Sequence, residues 1–193
     1  MKEYWKAGNM LYPVPPVMVT TQTKDGFDNV FTVAWCGTIC TNPAMLSISV
    51  RKERYSYQIL QDTKEFVVNI PSKTLAYACD YVGVKSGRDH DKIKELGLKT
   101  FESKYVKPKS LEDSPINIEC SVENTIDLGS HTMFIAKVLG VTVDNKYMDE
   151  NGKFDLKKAD VITYSHGEYY TLGENLGKFG FSVKKRGKNE KIR

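Results

Sequence analysis

The stretch VMVTTQTKDGFDNVFTVAWC, residues 17–36, decides the fold. Val17 to Thr23 is β-branched and extended, and Lys24-Asp25-Gly26 follows it, a turn whose glycine can supply the positive φ of a tight hairpin. Asn29 to Cys36 then alternates, with Val30, Thr32, Ala34 and Cys36 on one face and Phe31, Val33 and Trp35 on the other. That two-residue period is a strand's. An antiparallel hairpin is expected here, small on one face and bulky on the other.

Working outward, Met45 to Arg51 alternates after the loop Thr41-Asn42-Pro43, and Arg54 to Asp62 reads as a short helix. Glu65 to Ile70 is a further strand, ended by Pro71. Residues 72–100 read as helical and looped, with Ser86-Gly87-Arg88-Asp89 as a break and a candidate cap. Ile116 to Val122 alternates cleanly, whereas Thr132 to Val143 is apolar on both faces, as in a strand covered on both sides. Asp127-Leu128-Gly129-Ser130 is the turn between them. About six strands joined by hairpins around a helical insert point to a mainly β, closed antiparallel barrel with excursions. No linker or repeat divides the chain, so residues 1–193 are expected to form one domain.

The composition of the 193 residues, 40% hydrophobic and 27% charged, is that of a globular protein. A chain of this length buries roughly 70% of its unfolded surface, so no disulfide or structural metal is required. Cys36, Cys40, Cys79 and Cys120 form no Cys-x-x-Cys, and His90, His131 and His166 are scattered. Reduced thiols, no metal site and a cytoplasmic setting are expected. The net charge of +4 resides at the end: from Lys178 onward there are seven basic residues and one acid, leaving residues 1–177 at −2. The basic tail, 184–193, reads as a solvated terminus, and no nucleic-acid partner is expected. No leader and no membrane span are visible.

Glycine-rich dinucleotide and phosphate loops are absent, as are a nucleophile elbow and a His-Glu-x-x-His pair. The conspicuous cluster is Ser49-Val50-Arg51-Lys52-Glu53-Arg54-Tyr55-Ser56, where a strand runs into three cations and then a helix start that Ser56 could cap. Free amides at a helix N-terminus beside Arg and Lys suit a phosphate.

Asp25-Gly26, Asn29, Thr32-Val33-Ala34-Trp35, Asn42-Pro43, the cluster just quoted and Glu65-Phe66-Val67-Val68-Asn69-Ile70-Pro71 resemble the flavin reductase-like family, in particular its flavoredoxin-type members. Ser86-Gly87-Arg88-x-x-Asp91-Lys92, Ile118-Glu119-Cys120, Gly129-Ser130-His131, Leu172-Gly173 and Phe179-Gly180-Phe181-Ser182 agree. The chain departs from the family at Asn42-Pro43-Ala44, where Pro-Pro is common. The resemblance implies a Greek-key split β-barrel with helical insertions, FMN as cofactor, and a homodimer with the flavin near the subunit contact. It implies that Arg51, Lys52, Tyr55 and Ser56 hold the phosphate and ribityl end, with Ser86 and Lys92 as further candidates. The ring would lie along Thr32, Val33, Ala34, Trp35, Cys36 and Gly37. There Ala34 and Gly37 are small enough to let backbone N–H groups approach it, and Trp35 reads as a core anchor or a pocket wall. His131 is the catalytic candidate, with a structural role as its alternative. The activity implied is a flavin reductase-type oxidoreductase fed by NADH or NADPH, or else a flavoredoxin-like carrier fed by a redox protein.

Overall fold

The computed structural model describes residues 1–183, and the basic tail at 184–193 lies outside the described residues. The expected hairpin forms as β1 (Val17–Gln22) and β2 (Asp28–Val33), paired antiparallel from Val17 opposite Val33 to Gln22 opposite Asp28. Gly26 turns it at φ +92°, a conformation that a side chain would strain.

The single strand expected from Asn29 to Cys36 breaks at Ala34-Trp35. The Cys36 N–H donates to the Ala34 carbonyl at 3.1 Å, the chain turns, and Cys36–Cys40 starts afresh as β3. The turn resets the alternation. Cys36 pairs with Ile48 of β4 (Met45–Arg51) and packs against the same core as Phe31 and Val33, not with Val30 as its parity predicts.

The chain continues through α1 (Tyr55–Thr63), β5 (Glu65–Ile70), α2 (Ala76–Val84) and the short α3 (Lys92–Glu95). A small pair, β6 (Thr100–Phe101) and β7 (Ser110–Leu111), precedes two long strands, β8 (Ile116–Asp127) and β9 (His131–Val143). A hairpin not foreseen from the sequence, β10 (Ile162–Ser165) and β11 (Glu168–Thr171), closes the set.

The main sheet has seven strands in the order β2-β1-β5-β8-β9-β4-β3, all antiparallel. β2 and β3 are consecutive in the chain yet occupy opposite edges. The connection through Ala34-Trp35 spans about 10 Å at about 3.3 Å per residue, so the sheet must roll until its edges meet. The Ser49 N–H sews the seam by donating to the Trp35 carbonyl at 2.8 Å. This is the mainly β, Greek-key split barrel with helical insertions.

Phe66, Phe134, Ile48 and Val19 fill the interior, and Leu60 of α1 reaches it. Each such side chain stabilises the fold by about 1.5–3 kcal/mol when fully buried. The outer face of the hairpin is covered too: Met18 and Val30 lie under Cys79 and Val82 of α2. Thr32 Oγ1 donates to the Cys79 carbonyl. On β9, Thr132, Phe134 and Ala136 are buried, while Met133 and Ile135 are half-buried and Val141 is 58% exposed. The helical insert packs on β1 and β2. Among the described residues no helix is long and apolar enough to cross a membrane.

Candidate functional site

The N-terminus of α1 is electrostatically anomalous. A helix start is a region of positive potential that favours acids, yet its first turn holds none, and Arg51, Lys52 and Arg54 gather just before it. Arg54 is the N-cap residue and no side chain caps the helix. Ser56, expected as a cap, is buried and accepts a hydrogen bond from Asn29 Nδ2 at 2.8 Å. A cavity of about 190 Å³ opens here, into which Arg51, Arg54, Lys85, Arg88 and Lys92 face, with Glu53 as the lone acid among the described residues.

Two features fix this cavity. Lys92 is 3% exposed, and its Nζ donates to the Val82 and Lys85 carbonyls at 3.2 Å each, binding the end of α2 to the start of α3. Burial, helped by the nearby Arg54 charge, lowers its pKa to about 8. Gly87 is the second: a Cβ there would stand 2.3 Å from Asn29 Oδ1 and 2.6 Å from Tyr55 Cδ1. Only a glycine lets residues 85–88 approach so closely.

The cavity continues, across Phe31, Arg51 and Arg54, into a second of about 540 Å³. Thr32, Asp80, Gly83 and the β10–β11 hairpin enclose it. Its wall is aromatic: Tyr12 lies 5.9 Å from Trp35 and 4.4 Å from His166, and Tyr164 lies 5.3 Å from Tyr169. Tyr169 donates its hydroxyl to Asp80 at 3.2 Å, and burial pushes its pKa up. The Val14 and Tyr164 backbones exchange hydrogen bonds at 3.0 and 2.9 Å, which fastens the N-terminal segment to the hairpin.

Across Asn9, Ala34, Trp35 and His131 the trough widens again, to about 780 Å³. Gly37, Ser47 and Ser49 form the floor, while Met10, Leu11 and Leu128 stand at the sides. His131 faces both wider cavities, and its Nδ1 lies 2.9 Å from Ser130 Oγ. The Cys36 thiol donates to the Pro15 carbonyl at 3.4 Å, and burial pushes its pKa up to about 12. Burial thereby favours the neutral thiol over the nucleophilic thiolate. Among the described residues no group of three or more His, Cys, Asp or Glu is placed to hold a metal ion.

Residues 9–173 match the family described as flavin reductase like domain. The chain belongs to this family. A protein of Archaeoglobus fulgidus is 30% identical over 165 residues, covering 86% of this chain and 91% of its own. The structure of flavoredoxin from Desulfovibrio vulgaris (Miyazaki F) superposes with a TM-score of 0.89 at 31% identity, over 95% of this chain and all of that one. A high molecular weight rubredoxin of Moorella thermoacetica is 26% identical over 106 residues, 54% of this chain and 45% of that protein.

Within this flavin reductase-like chain the sequence candidates sort as follows. Arg51, Tyr55, Ser56, Ser86 and Lys92 converge on the cationic cavity. Thr32, Ala34 and Trp35 line the middle one, with Trp35 forming a wall, and Cys36 and Gly37 line the widest. Two candidates point elsewhere. Val33 is buried inside the barrel, and Lys52 turns away to Asp127, its Nζ 2.6 Å from Oδ2. Arg54, Lys85, Gly87 and Arg88 were missed, as were Tyr12, Tyr164 and Tyr169. For Arg54 a signal existed, because a cation at the N-cap of a helix without acids asks for an anion.

Proposed function

We propose that this protein, acting as one domain, binds FMN along the trough and works as an oxidoreductase of flavin reductase type, carrying electrons from NADH or NADPH to an acceptor. The observation that carries the reading is the order of the trough: five cations around an uncapped helix start, then a middle chamber with the polar Thr32 and Asp80 and an aromatic wall, then the wide cavity beyond Ala34 and Trp35. A phosphate, a ribityl chain and a planar ring ask for that order. The residues fit the group on charge as well, since among the described residues the cations face one another with a single acid.

When bound, the flavin supplies the two-electron redox chemistry. The chain supplies position. Arg51, Arg54, Arg88 and Lys92 would hold the phosphate, with the first amides of α1 beneath it. Thr32, tied to the Cys79 carbonyl, and the small Ala34 keep the seam clear for the ring. His131, steadied by Ser130, offers a ring nitrogen where the middle and wide cavities meet. Tyr12, Trp35 and Tyr164 exclude water from one side of the chamber. The test is the absorption spectrum of the protein with FMN, recorded without oxygen before and after NADH and NADPH. Bleaching by either supports the reading, and a protein that takes up no flavin defeats it.

A second reading is a flavoredoxin-like carrier that takes electrons from a redox protein. It is favoured by the 31% identity with flavoredoxin across that whole chain and by the partial match to the rubredoxin. FMN that binds but is reduced by neither nicotinamide selects it.

The reading includes a homodimer. At the rim of the widest cavity Leu11 is 89% and Leu128 58% exposed, two apolar side chains left open to solvent. Exposed apolar surface beside a site marks contacts, and a twofold contact is the commonest closed one. Sedimentation at micromolar concentration tests it: a monomer that keeps its FMN would remove the dimer.

A further inference from the structure

The first residues of β9 are held from two sides. His131 pairs with Arg51 of β4, while Thr132 pairs with Val50 of β4 and with Asp127 of β8. Because side chains alternate along a strand, Arg51 and His131 share the face that looks into the trough, and Val50, Thr132 and Asp127 share the opposite one. The Arg51 and His131 pair is also the last of its ladder: β4 leaves the sheet to turn into α1, and the chain enters β9 from the tip Leu128-Gly129-Ser130. Ladder ends are where strands open at the lowest free energy. This one carries a cation of the phosphate cavity and the imidazole that faces both wider cavities.

The end is fastened from behind. Lys52, next after Arg51, sends its Nζ to Asp127 Oδ2 at 2.6 Å, and Asp127 Oδ1 accepts the Gly129 N–H at 3.0 Å. One carboxylate thus joins the hairpin tip to the turn between β4 and α1. Beside it the Tyr57 hydroxyl lies 3.3 Å from Thr132 Oγ1 and accepts from Gln61 Nε2 at 3.1 Å. The pairing favours both charges: the Lys52 hydrogen bond holds the Asp127 carboxyl below its usual pKa, and Asp127 raises that of Lys52. A pair so exposed adds little to global stability. At a terminal rung a small contribution is enough to decide between open and closed. Alternation also explains why the neighbours Arg51 and Lys52 part company, one cation meeting the trough and the other bracing it from the back.

Resting on the FMN reading, we propose that Lys52 and Asp127 are positioning residues, a clamp behind the sheet that fixes the rung of Arg51 and His131. The imidazole is thereby kept at a constant distance from the bound phosphate by two side chains that touch neither the cofactor nor the reacting atoms.

The experiment is two-dimensional NMR of the imidazole rings in the full chain, with and without FMN, on the parent, Lys52→Met, Lys52→Arg and Asp127→Asn. The methionine keeps the apolar stem and the asparagine keeps an acceptor for the Gly129 N–H, so each removes the ion pair alone. His131→Gln assigns the His131 signals, and His90 and His166, held by Glu95 and Tyr12, are the internal controls. Loss of the pair is expected to split or broaden the His131 signals and leave the other two histidines unmoved, with Lys52→Arg matching the parent. FMN affinity should stay within twofold throughout, while reduction of the bound flavin by NADH or NADPH slows about threefold in Lys52→Met and Asp127→Asn, the scale of an exposed pair. His131 signals that stay unmoved, histidines that all shift together, or a reduction rate that does not change overturns the clamp. A parent that takes up no FMN overturns the FMN reading, and one reduced by neither nicotinamide selects the carrier; in both cases the ring signals alone decide the clamp.

Discussion

At the cationic end of the trough, Lys92 is buried beneath two carbonyls, Asn29 is bonded to Ser56, and Gly87 is pressed against Asn29 and Tyr55. At the wide end, residues 8–11 are exposed, Gly37 has no atom within 4 Å of where a Cβ would stand, and Leu128 projects into solvent. One end is already arranged before a ligand arrives; the other is open to whatever docks there. Preorganised groups lose little freedom on binding. Retention of the cofactor should therefore depend on the cationic end, and partner choice on the open one.

The comparison breaks if the cations can be removed without consequence. Arg51→Ala with Arg54→Ala should weaken FMN at least a hundredfold, since charge-assisted hydrogen bonds contribute about 1.5–3 kcal/mol each and about 1.4 kcal/mol is a factor of ten. Titration with riboflavin, which lacks the phosphate, should show little change in the same protein. Lys52→Ala should leave FMN within twofold.

Two glycines sharpen it. Gly87→Ala forces Asn29 or its loop aside, and overpacking of this kind costs about 1–3 kcal/mol. A lowered denaturant midpoint and about tenfold weaker FMN are expected. Gly37→Ala meets open space and should stay within about 0.5 kcal/mol of the parent.

Lys92 adds a pH dependence whose two halves run in opposite directions. Its folded pKa of about 8 lies below the ordinary value of 10.5. Between these values the unfolded chain binds more protons, so the flavin-free protein should gain stability as pH rises from about 8 toward 10.5. FMN affinity should fall as pH rises above 8, because the neutral amine no longer attracts the phosphate. Denaturant midpoints and FMN affinities at pH 7 and pH 9, compared with Lys92→Met, read both halves.

The smallest effects belong to the open end and the terminus. His131→Ala should change FMN affinity less than threefold, and a slower reduction by nicotinamide would assign the ring to the chemistry. Truncation after Val183 should leave FMN retention unchanged, which colour after gel filtration reports.

The strands were legible where a short extended apolar or β-branched run is closed by a turn signal, as from Val17 to Gln22 before Asp25-Gly26 and from Glu65 to Ile70 before Pro71. The break at Ala34-Trp35 was not, since residues 29–36 alternate straight through it and only the rolling of the sheet imposes the turn. The β10–β11 hairpin was missed because its covering comes from Val14 and Tyr12, about 150 residues away. At the site, composition named the cluster from Arg51 to Ser56 but not which cations face inward. That choice is made by the turn between β4 and α1, which points Arg54 into the cavity and swings Lys52 to Asp127.

The Ala34-Trp35 crossing ties two properties together mechanically. It is the shortest strap around the barrel, and the same two residues partition the middle cavity from the wide one. Girth and the wall between the two cavities are thus a single variable. A core repacked around Phe66 or Phe134 to a larger circumference would draw the strap taut and tilt the surface proposed for the ring, so changes deep inside the barrel would reach a bound cofactor without touching it.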